Sequence, residues 1–384
     1  MTCVHVLDKE ANSIGGGAVY TAELCRQLAG RGHEVTLICF AADPKLSDYV
    51  SVRVLPRSRL AELPVVWRMS PVWQLLSAWK HIYALRLQPA DVVVGSAPQF
   101  IWAYHRCHPK SSWLYLPHAL IAPVELASYT YGSWIQKHIA VSMYYNLERW
   151  ALRGAINTVR FTKTGCDALE AHYGHSVCNS FVVFPQPTQI SPEENKLTTV
   201  PPRLLFVGRL VKTKNFDMLI RFLTPLLHIP WFLDVVGDGE EYERLKAEAA
   251  YAGLGDRIVF HGHQEDVTPW YRSAYLLLQP SLLESAGLVV LEAMSHGVPV
   301  LAMRADGRRY LNANHELIDN NNDGYLAEDE EAFAEKLAYL LKNPELVRLS
   351  GNHARKTIRR RHRWSDHIDQ FENLFLEVKN KQSS

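Results

Sequence analysis

Between Arg203 and Met303 the chain alternates apolar strand-like runs with helix-like runs and nothing else. "RLLFVGRL" is followed by "KNFDMLIRFLTPLL", "WFLDVVGDG" by "EEYERLKAEAAYAG", "RIVFHG" by "VTPWYRSA", and "YLLLQP" by "GLVVLEAMSHG" and "PVLAM". The strand runs are rich in Val, Leu, Ile and Phe, and strands that alternate with helices make βαβ units, the building block of a parallel sheet. The first half opens on the same plan. "CVHVL" is a strand, "SIGGGAVY" a glycine loop, "AVYTAELCRQLAG" a helix with Val19, Leu24 and Leu28 on one side, and "HEVTLICF" a second strand. Strands are expected again at "VSVRVLP", "DVVVGSA", "INTVRFT" and "SFVVF", with an aromatic, helical region between the second and third of these, up to about residue 153.

The two patterns meet at "FPQPTQISPEENKLTTVPP", where Pro, Thr, Gln and Glu replace apolar residues, as in a linker. The expected division is a first α/β domain over 1–185, a linker over 186–202, a second α/β domain over 203–365, and a terminal helix over 366–384 that packs back on the first domain. Two doubly wound domains place their ligand at the carboxyl ends of their strands, in a cleft where they face each other.

Composition excludes several classes. The 384 residues carry a formal net charge of +1, so there is no electrostatic footprint for nucleic acid. Six dispersed cysteines with no CxxC pair read as reduced thiols of a cytoplasmic protein. No run reaches 18 apolar residues, and no signal-peptide core opens the chain. The glycine loop has Tyr20 where a dinucleotide fingerprint needs its third glycine. "DNNNDGYLAEDE" matches a calcium loop in its spacing, but the preceding "NHELI" reads as a strand, not the helix such a loop needs. The basic "RKTIRRRHR" reads as a solvated helix face or a contact with anionic lipid.

One segment resists a purely structural reading. "LESAGLVVLEAMSHGVPV" is apolar, yet holds Glu284 and Glu292 eight positions apart. Glu284 falls in the loop after a strand, and Glu292 about one and a half turns along the next helix. Ser285, Ala286, Gly287 and Leu288 form the start of that helix, whose free N–H groups and dipole suit a phosphate. Carboxylates on either side would accept hydrogen bonds from sugar hydroxyls, which makes the ligand a nucleotide-sugar. The plain alternative is a solvated loop charge and a surface helix residue.

The same residues carry a resemblance. "ESAGLVVLEAMSHGVPV" resembles the Glu-x7-Glu signature of the retaining family 4 glycosyltransferases (glycosyl transferases group 1), which have the GT-B fold of two Rossmann-like domains around a cleft. "FVGRLVKTKNFDMLI" resembles their Gly-Arg…Lys segment, "LDVVGDGEEYERLKAEAAYAGLGDRIVFHG" the strand–helix–strand after it, and "RGHEVTLIC" behind a Gly-Gly loop their first βαβ unit. The resemblance implies an enzyme that moves a hexosyl group from a nucleotide-diphosphate sugar to a hydroxyl, with retention at the anomeric carbon and no metal. Glu284 would hold the transferred sugar and Glu292 the ribose. Arg209 and Lys214 would neutralise the leaving diphosphate, helped by the backbone at Gly16, Gly17, Ala286, Gly287 and Leu288. His118 is the candidate for the histidine beside the reacting sugar, with His108 as its rival. "VVFPQPTQI" lacks the Asn-Gly turn common before the family's linker, and Ser285 replaces a commoner glycine, so the donor stays open between UDP- and GDP-sugars.

Two other classes share these features: a GT-B nucleotide-sugar epimerase and a non-catalytic sugar-nucleotide-binding protein. The expected acceptor is a glycan or lipid-linked glycan of cell-envelope polysaccharide or glycolipid synthesis. Residues 64–88 hold three tryptophans and three cations but no acidic residue. Val72, Leu76, Trp79 and Tyr83 share one helical face there, which fits a peripheral contact with an anionic inner leaflet, together with "SYTYGSW" at 128–134. The competing expectation is that this face packs on the protein's own sheet.

Overall fold

The computed structural model describes residues 1–11, 15–56, 70–119, 134–177, 180–192, 201–285 and 287–383. Internal contacts divide the chain into two compact units, residues 1–184 with 365–384 and residues 185–364.

The N-terminal unit begins with β1 (Cys3–Leu7), β2 (Glu10–Ala11), α1 (Gly16–Gly30), β3 (Glu34–Cys39), β4 (Ala41–Ala42), β5 (Ser51–Val54), α2 (Ser70–Leu85) and β6 (Val92–Gly95). It continues through α3 (Pro98–Cys107), β7 (Trp113–Tyr115), α4 (Trp134–Gly154), β8 (Asn157–Arg160), α5 (Lys163–Tyr173) and β9 (Phe181–Val183). Seven strands form a sheet in the order β5-β3-β1-β6-β7-β8-β9. Its pairings are all parallel. The strand β7 lies inside the region that the sequence presents as helical. Trp113, Leu114 and Tyr115 are all buried, and a three-residue strand covered on both faces shows neither a helical nor an alternating period.

The C-terminal unit contains β10 (Arg203–Val207), α6 (Phe216–Leu223), β11 (Phe232–Val236), α7 (Tyr242–Tyr251), β12 (Ile258–Gly262), α8 (Thr268–Ser273) and β13 (Leu276–Gln279). Then come α9 (Leu288–Ser295), β14 (Val300–Met303), α10 (Asn314–Leu317), β15 (Tyr325–Ala327), α11 (Glu330–Leu341) and α12 (Pro344–Arg361). Its six parallel strands run β12-β11-β10-β13-β14-β15. One buried cluster around Phe206, Phe216, Trp231 and Phe333 fills one face, and another around Leu277, Leu291, Met294 and Leu301's neighbour Val300 fills the other. The segment "NHEL" is one helical turn, α10, not the strand its sequence suggests; its Asn314 is buried and donates to the Met303 carbonyl at 2.9 Å.

The last helix, α13 (Trp364–Ser383), belongs to the N-terminal unit from Ser365 onward. Within that unit the Tyr20 hydroxyl meets His367 Nε2 at 2.6 Å, and Arg31 pairs with Asp369 at 2.7 Å. Residues just after Phe184, by contrast, bond within the C-terminal unit: His362 Nδ1 lies 2.7 Å from the Gln186 carbonyl, and Thr188 N–H donates to the His362 carbonyl.

Both sheets reverse direction once. From β1 the chain steps outward to β3 and β5, then restarts beside β1 with β6; from β10 it steps to β11 and β12, then restarts beside β10 with β13. The loops leaving β1 and β6, and those leaving β10 and β13, therefore diverge from the carboxyl edge. That geometry opens a crevice at each switch point.

Candidate active site

In the C-terminal unit, the loop leaving β10 is held by the loop leaving β11, through Gly208 N–H to the Val236 carbonyl at 3.0 Å and Leu210 N–H to the Asp238 carbonyl at 2.9 Å. Arg209 stands between those two bonds and is exposed. Next comes a 3-10 turn, Lys212–Lys214, which is tied to the loop leaving β13. Leu282 N–H donates to the Thr213 carbonyl at 2.9 Å, and the buried Asn215 amide donates to the Pro280 carbonyl at 3.2 Å. On its other side the β13 loop is fixed by Leu311 N–H to Leu282 and Glu284 N–H to Leu311.

These ties bring together Lys214 and Glu284, 70 positions apart in sequence. Their side chains form an ion pair, each about one-fifth exposed, and Gln279 Nε2 donates to the same Glu284 oxygen at 3.1 Å. The ammonium that the sequence assigns to a diphosphate thus rests on the carboxylate assigned to a sugar.

Glu292 lies on α9, beyond a Gly287 N-cap in the left-handed conformation (φ 58°). Gly287's carbonyl accepts the first helical bonds from Val290 and Leu291, and Leu288 is the first helical residue. Ala286 lies outside the described residues. The Glu292 carboxyl accepts from the hydroxyl of fully buried Tyr271 at 2.9 Å. Burial pushes its pKa up to about 7, against the lowering effect of that hydrogen bond. His296 stacks on Tyr271 with ring centroids 5.2 Å apart.

In the N-terminal unit, Gly16 opens α1, and Gly17 lies beneath His118: a Cβ at 17 would come within 2.8 Å of the imidazole. His118 Nε2 lies 3.1 Å from Asp8 Oδ2 and 3.1 Å from Thr21 Oγ1, and Thr21 itself donates to Asp8. Burial raises the Asp8 pKa, but hydrogen bonds from His118, Thr21 and Ser96 outweigh it and hold the carboxyl below its ordinary range. Asp8 follows β1 and Ser96 follows β6, so the cluster occupies the switch point. His108 is elsewhere: it caps the C-terminal end of α3, its ring 4.6 Å from that of Tyr104.

The sequence did not single out Asp8, Thr21, Gln279 or Tyr271. Asp8 alone carried a usable signal, as a carboxylate closing the first strand before the glycine loop. Tyr271 sits on a short helix, and nothing local shows that it reaches Glu292.

Asp323 is buried, accepting from the Asp319 N–H at 2.7 Å and the Thr357 hydroxyl at 2.8 Å. Among the described residues no group of three or more His, Cys, Asp or Glu is placed to hold a metal ion. The basic run on α12 is solvated only in part: Arg359, Arg360 and Arg361 are exposed, while Arg355 is buried and donates to the Ser191 and Pro192 carbonyls.

Two parallel α/β units, each with polar groups gathered at its switch point, define a GT-B protein. Residues 14–185 match the model of glycosyltransferase family 4, and residues 188–357 that of glycosyl transferases group 1. The chain belongs to the family 4, group 1 glycosyltransferases. It is 26% identical over 385 residues to an N-acetyl-alpha-D-glucosaminyl L-malate synthase of Bacillus anthracis, covering 95% of each chain. A lipopolysaccharide core biosynthesis mannosyltransferase of Rhizobium leguminosarum bv. viciae is 33% identical over 184 residues, 45% of this chain and 51% of the relative. Among solved structures, a sucrose-phosphate synthase from Thermosynechococcus elongatus superposes with a TM-score of 0.80 at 20% identity, covering 98% of this chain and 99% of the other. An Anabaena protein, Alr3699/HepE, in complex with UDP-glucose does so at 0.69 and 16%, covering 100% and 98%.

Proposed function

We propose that the protein transfers a hexosyl group from a nucleoside-diphosphate sugar to a hydroxyl of a glycan or lipid-linked glycan, with retention at the anomeric carbon. The Lys214–Glu284 ion pair, on the loop that also carries Arg209, supports this reading. A donor's diphosphate takes Lys214 as its counter-charge and releases the Glu284 carboxylate to the hydroxyls of the sugar. Arg209 and Lys214 then stabilise the charge that grows as the diphosphate leaves. Glu292, hydrogen-bonded to Tyr271, takes the ribose hydroxyls. The α9 N-terminus from Gly287 adds backbone N–H groups for the phosphates. No metal enters the scheme. His118, oriented by Asp8 and Thr21, is the N-terminal unit's polar group beside the reacting sugar, and retention follows the Glu-x7-Glu resemblance. The named substrates of the mannosyltransferase relative and the UDP-glucose complex lend support to a sugar-nucleotide donor and an envelope glycan acceptor.

The acceptor side extends to α2. Leu76, Trp79 and Tyr83 are 44%, 42% and 73% exposed, whereas Ala78 and Ile82 on the other face are buried. Lys80 is exposed beside them. The face that the competing expectation packs on the sheet is thus the more exposed one, with Trp79 resting in part on Trp102 of α3. We assign the outer face to an anionic leaflet at the cytoplasmic side of a membrane, where aromatic rings and cations are both favoured. Pro64 to Met69 and residues 128–133 lie outside the described residues, and no described helix is long and apolar enough to cross a membrane.

The test is a screen of UDP- and GDP-sugars by thermal shift, followed by mass spectrometry of products with and without glycan acceptors. The expected result is an acceptor carrying one added hexose. Donor isomerisation without acceptor would replace this reading with an epimerase, and binding without turnover across the panel would replace it with a sensor.

A further inference from the structure

Arg160 ends β8 at the carboxyl edge of the N-terminal sheet, and it is 2% exposed. A parallel strand covered on both faces is a place for an apolar side chain, and a buried guanidinium is costly unless it is paired and hydrogen-bonded. Its bonds are specific. Nη1 donates to the Pro117 carbonyl at 2.7 Å and to the Ala119 carbonyl at 2.8 Å, the two carbonyls that flank His118. Glu148, wholly buried and held by the Tyr115 and Tyr173 hydroxyls at 2.8 and 2.6 Å, lies in its vicinity: burial raises the Glu148 pKa, and the Arg160 charge acts to lower it. Room for the guanidinium depends on Gly165, in the first turn of α5: a Cβ there would lie 2.5 Å from Nη2 and 2.7 Å from Nε. That turn is itself capped by Thr162.

We infer that Arg160 is a positioning residue: by holding both carbonyls around His118 it sets the imidazole against Asp8 and Thr21, and turnover depends on it through His118. This rests on the reading that places His118 at the reacting sugar. Apolar packing of β8 would need no buried cation; Nη1 alone directs its two N–H groups to the two carbonyls, and the flexible, tetrahedral ammonium of a lysine would not hold that pair from the same place.

Gly165→Ala is the sharper perturbation, because it displaces the guanidinium while keeping its charge, and the atom displaced is the mobile end of a long side chain. Arg160→Lys is the second variant, should Gly165→Ala prove silent. Both are read in two ways, with fold retention checked by circular dichroism. The first is the 15N spectrum of histidine-labelled protein, with His118 assigned by its loss in His118→Ala. The second is kcat and donor KM, in the wild-type and His118→Ala backgrounds. The expected result is a displaced His118 resonance, a 10- to 100-fold lower kcat with donor KM within threefold, and less than a twofold further loss in the His118→Ala background. An unmoved His118 resonance overturns the inference whatever the activity. So does an equal fold-loss in both backgrounds, which would make Arg160 a structural residue acting independently of His118. A displaced resonance with full activity in both Gly165→Ala and His118→Ala overturns the role of His118 instead, so the two failures are told apart.

Discussion

The C-terminal unit draws its charged site from two short segments, Arg209 to Lys214 and Gln279 to Glu292, while the N-terminal unit gathers Asp8, Thr21, His118 and Arg160 from four separate ones. Both clusters occupy the same topological place, the switch point at the carboxyl edge of a parallel sheet. They differ in how charge is handled. In the C-terminal unit the cation and carboxylate are partly exposed and neutralise each other, an arrangement that a charged ligand can exchange. In the N-terminal unit the carboxylate is buried and fully engaged by donors, an arrangement that fixes geometry. One region is built to trade partners, the other to stay as it is.

The largest effects should therefore follow loss of the exchangeable charges. Lys214→Ala and Arg209→Ala are each expected to lower kcat by about 2–4 kcal/mol of transition-state stabilisation, read by steady-state kinetics. Asp8→Asn removes an orienting carboxylate, not a charge on the leaving group, and should cost less, about 1.5–3 kcal/mol. If Asp8→Asn exceeded both C-terminal variants, the comparison would invert and the fixed cluster would be the principal source of rate.

A pH experiment sharpens the C-terminal half. The Glu292 pKa, about 7 in the folded state, lies above its ordinary 4.5. Between those values the folded protein holds a proton that the unfolded chain releases, so this group's contribution to stability falls as pH rises through that window and levels off above about 7. Glu292→Gln carries no such proton and should gain on wild type by ~2–3 kcal/mol between pH 4.5 and 7.5, measured by urea denaturation. A gap that does not change with pH would show that burial beside Tyr271 leaves the carboxyl ordinary.

The smallest effect concerns α2. Tyr83→Ala with Lys80→Glu should leave the fold intact, because both side chains are exposed, and should weaken co-sedimentation with anionic vesicles severalfold, at ~1 kcal/mol per lost cation. A folded wild-type protein that ignores such vesicles at low salt would remove the membrane surface and favour a water-soluble acceptor.

Most of the fold could be read from sequence because short apolar strand runs alternate with runs of helical period, the pattern of βαβ units. β7 could not: three residues are too few to show a period. Arg209, Lys214, Glu284 and Glu292 stood out because each is a charge in or beside an apolar run. Their pairings did not, since Lys214 meets Glu284 only after the β10 and β13 loops are bonded together, and Tyr271 meets Glu292 only through packing of α8 on α9. In the N-terminal unit His118 and Asp8 are 110 positions apart, and no local pattern records that contact. On α2 the helical period placed Leu76, Trp79 and Tyr83 on one apolar face widened by Ile82, and could not say that the structure would divide that face. Leu76, Trp79 and Tyr83 stay largely outside, and Ala78 and Ile82 go in.

Exchange of Lys214 between Glu284 and a diphosphate is most directly tested by calorimetry with UDP and GDP alone, on wild type, Lys214→Met and Glu284→Gln. The expected result is that one nucleotide binds wild type, Lys214→Met loses at least tenfold in affinity, and Glu284→Gln binds as tightly as wild type or tighter, because its lysine is already released. Loss of affinity in Glu284→Gln equal to that in Lys214→Met would contradict the exchange, as would a wild-type protein that binds neither nucleotide.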